Sequence, residues 1–463
     1  MTTTNQRSHA IVMGASIAGL MTARVLSMHY QKVTIVERDH VNHEPESRHG
    51  QPQTQHLHGL LPGGFQAMTN YFPDLKEALA RAGANVCDFG QDMVWYTHGG
   101  YKKTFEMNLS AATMSRPLLE HLVRERVLAL PNVMLVDNCL VQGLITSADG
   151  QWVTGVALKN SLAIDTSTLY ADLVVDATGR GSRSPQWLQK MGYDAAPITE
   201  VKAKVGYATR TYRRDPADPR SRNWFLYTPE APTERRFGAI MPVEGNRWIV
   251  SVGGWHSESA LMDEAEFTEF VRTLPMPDIY DIISHSEALT DVVPYRFSSS
   301  LRRHYEKMTR FPLGFLVLGD ALCSFNPTYG QGMTSATLQA VVLDKVLTNG
   351  TPDQKLATRF FGRATKVVDI PWQLAVGEDL RYPETIGERT LIGTLLGHYI
   401  TRIQRVTQQD AVVGNAFLNV MSMMKSPATL FHPRILWRVL TAVNGRRTSA
   451  EVIVSEPHVT VFG

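Results

Sequence analysis

Near its start the chain runs from an apolar stretch at residues 10–13 into the turn Gly14-Ala15-Ser16-Ile17-Ala18-Gly19. Ile17, Leu20, Met21, Ala23 and Leu26 then recur at helical spacing, and a second apolar run, residues 33–36, ends in Glu37 and Arg38. The order strand, glycine turn, helix, strand, acid predicts a mononucleotide-binding βαβ unit, which commits this part of the chain to a parallel sheet. Gly14 permits the tight turn and Gly19 lets the helix lie close on the strand. The helix start, from Ala15 and Ser16, offers free N–H groups and a positive dipole end to a pyrophosphate. Glu37 stands where a carboxylate can accept both ribose hydroxyls of an adenosine, with Arg38 beside it as a further contact. Ser16 replaces the middle glycine of the usual fingerprint, and its small hydroxyl side chain can donate to a phosphate. This unit alone leaves NAD and FAD both open.

Two later segments bear on that choice. In Ala171-Asp172-Leu173-Val174-Val175-Asp176-Ala177-Thr178-Gly179-Arg180-Gly181, an apolar strand ends in small residues that let backbone approach a ligand, with Asp176 and Gly179 as candidate contacts. Residues 150–158 and 161–169 just before it read as strands of a meander. In Gly314-Phe315-Leu316-Val317-Leu318-Gly319-Asp320, a buried strand leads to an acid able to hold a ribityl hydroxyl. The loop after it carries Pro327, Gly330 and Gly332, and a helix is predicted from about Met333 to residue 347. The positive end of that helix would stabilise negative charge on a reduced flavin.

The trio of Gly14-Ala15-Ser16-Ile17-Ala18-Gly19 with Glu37, Asp176-Ala177-Thr178-Gly179-Arg180, and Gly319-Asp320 with its Pro327 to Met333 loop resembles the FAD-dependent monooxygenases of the p-hydroxybenzoate hydroxylase fold. Arg48, in Arg48-His49-Gly50-Gln51-Pro52-Gln53, occupies the place where that family keeps an arginine over the pyrophosphate. Arg116, opening Arg116-Pro117-Leu118-Leu119-Glu120-His121-Leu122, looks like the arginine of its RxxLxxxL helix start. Within the family, Arg48, Pro52-Gln53, His56-Leu57-His58, Leu61-Pro62-Gly63-Gly64 and Cys323-Ser324-Phe325-Asn326-Pro327 look most like the bacterial flavin epoxidases of polyether biosynthesis, with squalene epoxidase a more distant likeness.

The resemblance implies an α/β fold: a Rossmann-type, GR2-like FAD-binding domain from residues 1–200 and 296–350, a β-sheet substrate domain at 201–295, and a helical region at 351–463. It implies FAD, O2 and an apolar small-molecule substrate, with one oxygen atom inserted through a flavin C4a-hydroperoxide. Alkene epoxidation in secondary metabolism is the expected reaction, and aromatic hydroxylation or a geranylgeranyl reductase-like reduction are the alternatives. NAD(P)H would supply electrons, docking directly or acting through a separate flavin reductase, since no second nucleotide-binding fingerprint is present. A halogenase of the same fold would carry GWxWxIP, of which Gly254-Trp255-His256-Ser257 offers two letters. An FAD-binding scaffold without catalysis is the non-enzymatic alternative.

No catalytic base stands out. His56, His58, Tyr227, Tyr295 and Tyr329 are candidates, and the His-x-His pair has no further ligand at a spacing that suggests a metal. Cys323 reads as a buried space-filler. Strand-like runs at residues 202–211, 223–227, 237–241 and 247–253 bring Tyr207, Trp224, Phe225, Tyr227, Trp248 and Trp255 to a sheet that would roof the pocket. Beyond Thr351, residues 391–403 and 416–424 read as apolar helices. The net charge of +2 comes without a basic stripe, so nucleic acid is not an expected partner. No apolar run reaches the roughly 18–20 residues of a membrane span. The polar first nine residues lack a secretory h-region, and the three scattered cysteines, Cys87, Cys139 and Cys323, suggest no disulfide framework. A cytoplasmic setting is the expectation.

Overall fold

The computed structural model describes residues 7–48, 50–160, 166–256 and 262–442. The polar residues 1–6, His49, the opening of the second meander strand at 161–165, Ser257 and everything after residue 442 lie outside them.

The first βαβ unit forms as expected. Strand Arg7–Met13, helix α1 (Ile17–Leu26) and strand Tyr30–Val36 follow one another, and the two strands pair in parallel from Arg7 with Tyr30 to Met13 with Val36. Three further parallel strands complete a five-stranded sheet in the order Phe315–Val317, Leu173–Asp176, Arg7–Met13, Tyr30–Val36, Val133–Val136. The carboxyl-terminal part of each long strand is a buried apolar run, and strands of the antiparallel meander pack against this sheet. Helix α2 (Arg116–Leu128) packs against α1, and α3 (Gly332–Thr348) packs against α1 from the carboxyl-terminal half of the chain. The three segments flagged in sequence thus end at one edge of one sheet.

The expected meander is a three-stranded antiparallel sheet, Cys139–Thr146, Val153–Asn160 and Thr166–Tyr170. The large, mostly antiparallel sheet has seven strands, ordered Val293–Phe297, Val205–Arg213, Arg247–Trp255, Arg236–Val243, Trp224–Tyr227, Met93–Thr97, Gly100–Tyr101. Its first long strand opens at Val205 and not at residue 202, because Lys204 has a left-handed φ of +47°. Residues 93–101 join it from well outside the 201–295 stretch, Met93–Thr97 pairing in parallel with Trp224–Tyr227. Trp224 packs in one apolar cluster on this sheet, and Phe225, Tyr227 and Trp248 in another.

Beyond residue 351 lie the 27-residue helix α4 (Asp353–Asp379), α5 (Leu391–Val406) and α6 (Ala411–Met421). Helix α6 begins five residues before the expected 416, because Asp410 accepts from Val412 N and Val413 N and caps it there. Among the described residues no helix is long and apolar enough to cross a membrane.

Candidate cofactor cleft and the adjoining cavity

Gly14 has φ +100°, and a Cβ there would lie 2.7 Å from the Ala177 carbonyl oxygen, so the first and second segments touch through a position that only glycine fills. A Cβ on Gly19 would run into the Gly14 carbonyl oxygen. Glu37 is buried: Oε2 accepts from Ala15 N at 2.7 Å and Oε1 from Asp39 N at 3.1 Å. The Ser16 hydroxyl leaves the start of α1 uncapped and instead donates to Glu120 Oε2 at 2.9 Å while accepting from Arg116 Nη2 at 2.8 Å.

Arg48 enters the same place. Its Nη2 donates to Ala15 O at 3.1 Å and pairs with Glu120, whose Oε1 also accepts from Gln51 Nε2 at 3.2 Å. Two nitrogens are left over. Arg48 Nη1 lies 3.3 Å from Glu37 and Arg116 Nε 3.5 Å from Glu120, yet neither aligns for a hydrogen bond. Two buried guanidinium groups with unspent N–H at a helix N-terminus form a place that can take an anion. Glu120 was not singled out in sequence. Its position one turn after Arg116 on α2 was the available signal.

Asp320 is exposed to solvent while protein atoms crowd around its carboxyl. Burial pushes its pKa up, against the pull of Arg116 and Arg180. Gly319 before it, at φ +69°, would set a Cβ 2.8 Å from the Ala18 Cβ. Glu37 and Asp320 therefore flank the start of the same helix, one through Ala15 and the other through Ala18 and Arg116.

The remaining candidates divide. Gly179 (φ +79°), Gly330 (φ +71°) and Gly332 have nothing within 4 Å of a built Cβ, so backbone there is open to a ligand. Pro327–Tyr329 makes one 3-10 turn before Gly330, and α3 starts at Gly332 with Met333 buried behind it. Arg38 is exposed and donates to Gly50 O at 3.2 Å. Asp176 requires a correction. It is fully buried, and its oxygens accept from Thr178 N at 2.9 Å, Thr178 Oγ1 at 2.6 Å, Ser182 Oγ at 2.5 Å and Ser184 Oγ. A strand-end Asp followed by hydroxyl residues satisfies itself locally, so its side chain braces the turn and presents nothing to a ligand.

His56 Nδ1 pairs with Thr209 Oγ1 at 2.8 Å, and its ring meets Tyr207 and Tyr295 edge-on; burial lowers its pKa to about 4. His58 Nδ1 meets the His56 carbonyl at 2.9 Å, and burial, followed by Arg116, lowers its pKa to about 3. Both rings are thus neutral near pH 7. Cys323 is buried and burial pushes its thiol well up.

Beyond the flavin-type loop lies an aromatic cavity whose walls include Trp95, Phe237, Trp255, Tyr329, Glu378 and Phe417. Trp255 alone of the six aromatics expected to line a pocket is among its walls. The carboxyl-terminal helices fix this cavity to the loop. Asp379, at the end of α4, accepts through Oδ1 from Trp255 Nε1 at 2.7 Å, Asn326 Nδ2 at 2.9 Å and Tyr329 OH at 3.1 Å. Gln331 Nε2 donates to Met421 O at 2.8 Å on α6. Burial raises the Asp379 carboxyl to about 6, against those three donors.

A five-stranded parallel sheet, a seven-stranded, mostly antiparallel sheet and a helical cap, meeting around this cleft, define the fold of flavin-dependent monooxygenases and halogenases. A flavoprotein/dehydrogenase from Cytophaga hutchinsonii superposes with a TM-score of 0.67 at 14% identity, over 91% of this chain and 94% of that one. The flavin-dependent brominase Bmp2 gives 0.64 at 14% identity over 89% and 93%. A variant of 2-methyl-3-hydroxypyridine-5-carboxylic acid oxygenase gives 0.62 at 15% over 91% and 99%. No protein-family model matches the chain. In sequence it is 30% identical over 435 residues, 91% of each chain, to Protein Rv3254 of Mycobacterium tuberculosis, and it belongs to the family of that protein.

Proposed function

We propose that the chain is an FAD-dependent monooxygenase that inserts one oxygen atom from O2 into a small molecule with a largely apolar body, alkene epoxidation being the favoured reaction. The observation that carries the reading is the pair of buried arginines, Arg48 and Arg116, holding unspent N–H groups at the start of α1. Those donors, the glycine cradle at Gly14 and the open backbone at Gly179, Gly330 and Gly332 fit a dinucleotide whose pyrophosphate sits on the helix. Glu37 would take the adenosine ribose and Asp320 the ribityl chain. The N-terminus of α3 would face the ring end of the cofactor, where its positive dipole favours the anionic reduced form. Bound and reduced, FAD supplies the activation of O2. The chain's own part is orientation and exclusion of water: the aromatic walls hold an apolar body, and Tyr329, tied to Asp379, sets the loop against it. Electrons come from NAD(P)H, directly or by way of a reductase.

The test begins with the colour of the purified protein and its bleaching by NADPH. Holoprotein reduced in the presence of candidate alkenes and then given 18O2 should return product carrying one labelled oxygen. Protein that holds no flavin, or that consumes NAD(P)H without labelled product across an alkene and phenol panel, overturns the reading. Product that gains bromine or chlorine only when halide is supplied assigns the chain to halogenation instead.

A further inference from the structure

Lys102 lies beside the aromatic cavity, outside every sequence motif. It is 8% exposed, and its Nζ has no hydrogen-bond partner. The nitrogen lies 3.8 Å from the centre of the Trp95 ring and 4.1 Å from that of Phe417. Both rings are cavity walls, and Glu378, a third wall residue, acts on the amine electrostatically. The amine therefore lies buried directly against two of the cavity's rings, a layer behind its surface.

The other charged groups around it are already engaged. Glu378 pairs with Arg381 at 3.0 Å, while His98 at 3.2 Å and Arg405 at 2.5 Å both pair with Glu230. Burial raises the Glu378 carboxyl, which weakens it as a counter-charge for Lys102. Two aromatic faces return less to a desolvated cation than an ammonium loses on leaving water. Burial accordingly drives the amine toward its neutral form, and its pKa falls well below the ordinary lysine value. Such a group gains most from a ligand that brings it an anionic acceptor.

We propose that Lys102 is the polar anchor of this cavity, and that the ligand taken there joins an apolar or aromatic body to one anionic oxygen group, a carboxylate or a phenolate. The proposal rests on reading the cavity as the substrate pocket, and it narrows the substrate class from apolar molecules to apolar acids. Binding of such a group would favour the ammonium form, any proton gained coming from solvent or from the ligand's own acidic OH.

Calorimetric titration of the holoprotein at pH 7.5 with 2-naphthoate and with the neutral naphthalene-2-carboxamide tests it. The expected result is naphthoate binding at least tenfold tighter. Lys102→Met should erase that ratio while leaving carboxamide affinity within twofold. A wild-type ratio near one, no heat with naphthoate, or a ratio that survives in Lys102→Met overturns the proposal. Should Lys102→Met fail to fold, wild-type titrations in two buffers of different ionisation enthalpy decide the matter. Greater proton uptake with naphthoate than with the carboxamide supports the anchor, and equal uptake with the two overturns it. Flavin content and 18O incorporation, followed on the same preparations, separate the two readings: an anion preference without oxygen transfer keeps the anchor and sinks the monooxygenase.

Discussion

Glu37, Glu120, Arg48 and Arg116 form a buried group of two anions and two cations around the start of α1, and each member constrains the rest. Removing one side of such a set leaves uncompensated charge away from water. Glu120→Ala should therefore cost about 3–5 kcal/mol of stability, read as a lowered urea midpoint with an unchanged slope. Glu37→Ala and Asp320→Ala belong to the other kind of loss, the acceptors proposed for FAD. Each should weaken FAD retention by about 1–3 kcal/mol, and equilibrium dialysis showing unchanged affinity in both would remove the proposed site. The two histidines give a pH signature. Their folded pKa values, about 4 and about 3, lie below the unfolded value, so the unfolded chain binds more protons as pH falls through 6.5. Stability is then lost between about pH 6.5 and 4, at about 1.4 kcal/mol per pH unit for each ring. Asp379, raised to about 6, works in the opposite sense between 6 and its unfolded value near 3.8, and one carboxyl offsets part of two imidazoles. His56→Phe keeps the ring contacts with Tyr207 and Tyr295, so thermal melts from pH 7 to 4.5 should show a shallower fall than in the wild type.

At the scale of elements, legibility followed the range of the forces involved. The βαβ unit, the strand before Asp320 and helix α3 could be read because apolar period and glycine chemistry are local, and the structure places their bounds within about three residues of expectation. The strand Met93–Thr97 of the seven-stranded sheet could not, because its pairing with Trp224–Tyr227 is settled across 131 residues by the register of a sheet that the local pattern does not name. Asp176 was misread for a related reason: its environment is decided by Ser182 and Ser184 folding back, after a motif that looks the same with or without them. Lys102 and Asp379 carry no pattern at all, since their chemistry comes from burial by distant segments. The turn into α1 is the element most sensitive to a single added atom group. Gly14→Val meets both a left-handed φ and the Ala177 carbonyl, and should yield mostly apoprotein, checked by the flavin-to-protein absorbance ratio. Gly19→Ala keeps an allowed φ but drives its Cβ into the Gly14 carbonyl, backbone that has to shift, so it should lose stability by about 3 kcal/mol or more and most of its flavin.

Over the whole molecule, the proposed cofactor site gathers contacts from residues 14–19, 37, 48, 116, 179, 320 and 330–333, and these clusters come from all three flagged segments and from the chain between them. The loop before α3 is in turn held by α4 through Asp379 and by α6 through Gln331, so the carboxyl-terminal helices report on the same place. A ligand that binds only when all these segments are assembled draws on the folding equilibrium of the entire chain and not on one subdomain. FAD at about a hundred times its Kd should then raise the free energy of unfolding by about 2.7 kcal/mol. The rise should appear in a single transition, seen alike by far-UV dichroism and by tryptophan emission. Glu37→Ala should need roughly tenfold more FAD for the same rise, because a ribose acceptor worth about 1.4 kcal/mol is tenfold in affinity. If added FAD moved the tryptophan signal while leaving the dichroism midpoint in place, the ligand would be stabilising one part of the molecule alone, and the convergence of distant segments on one flavin would be refuted.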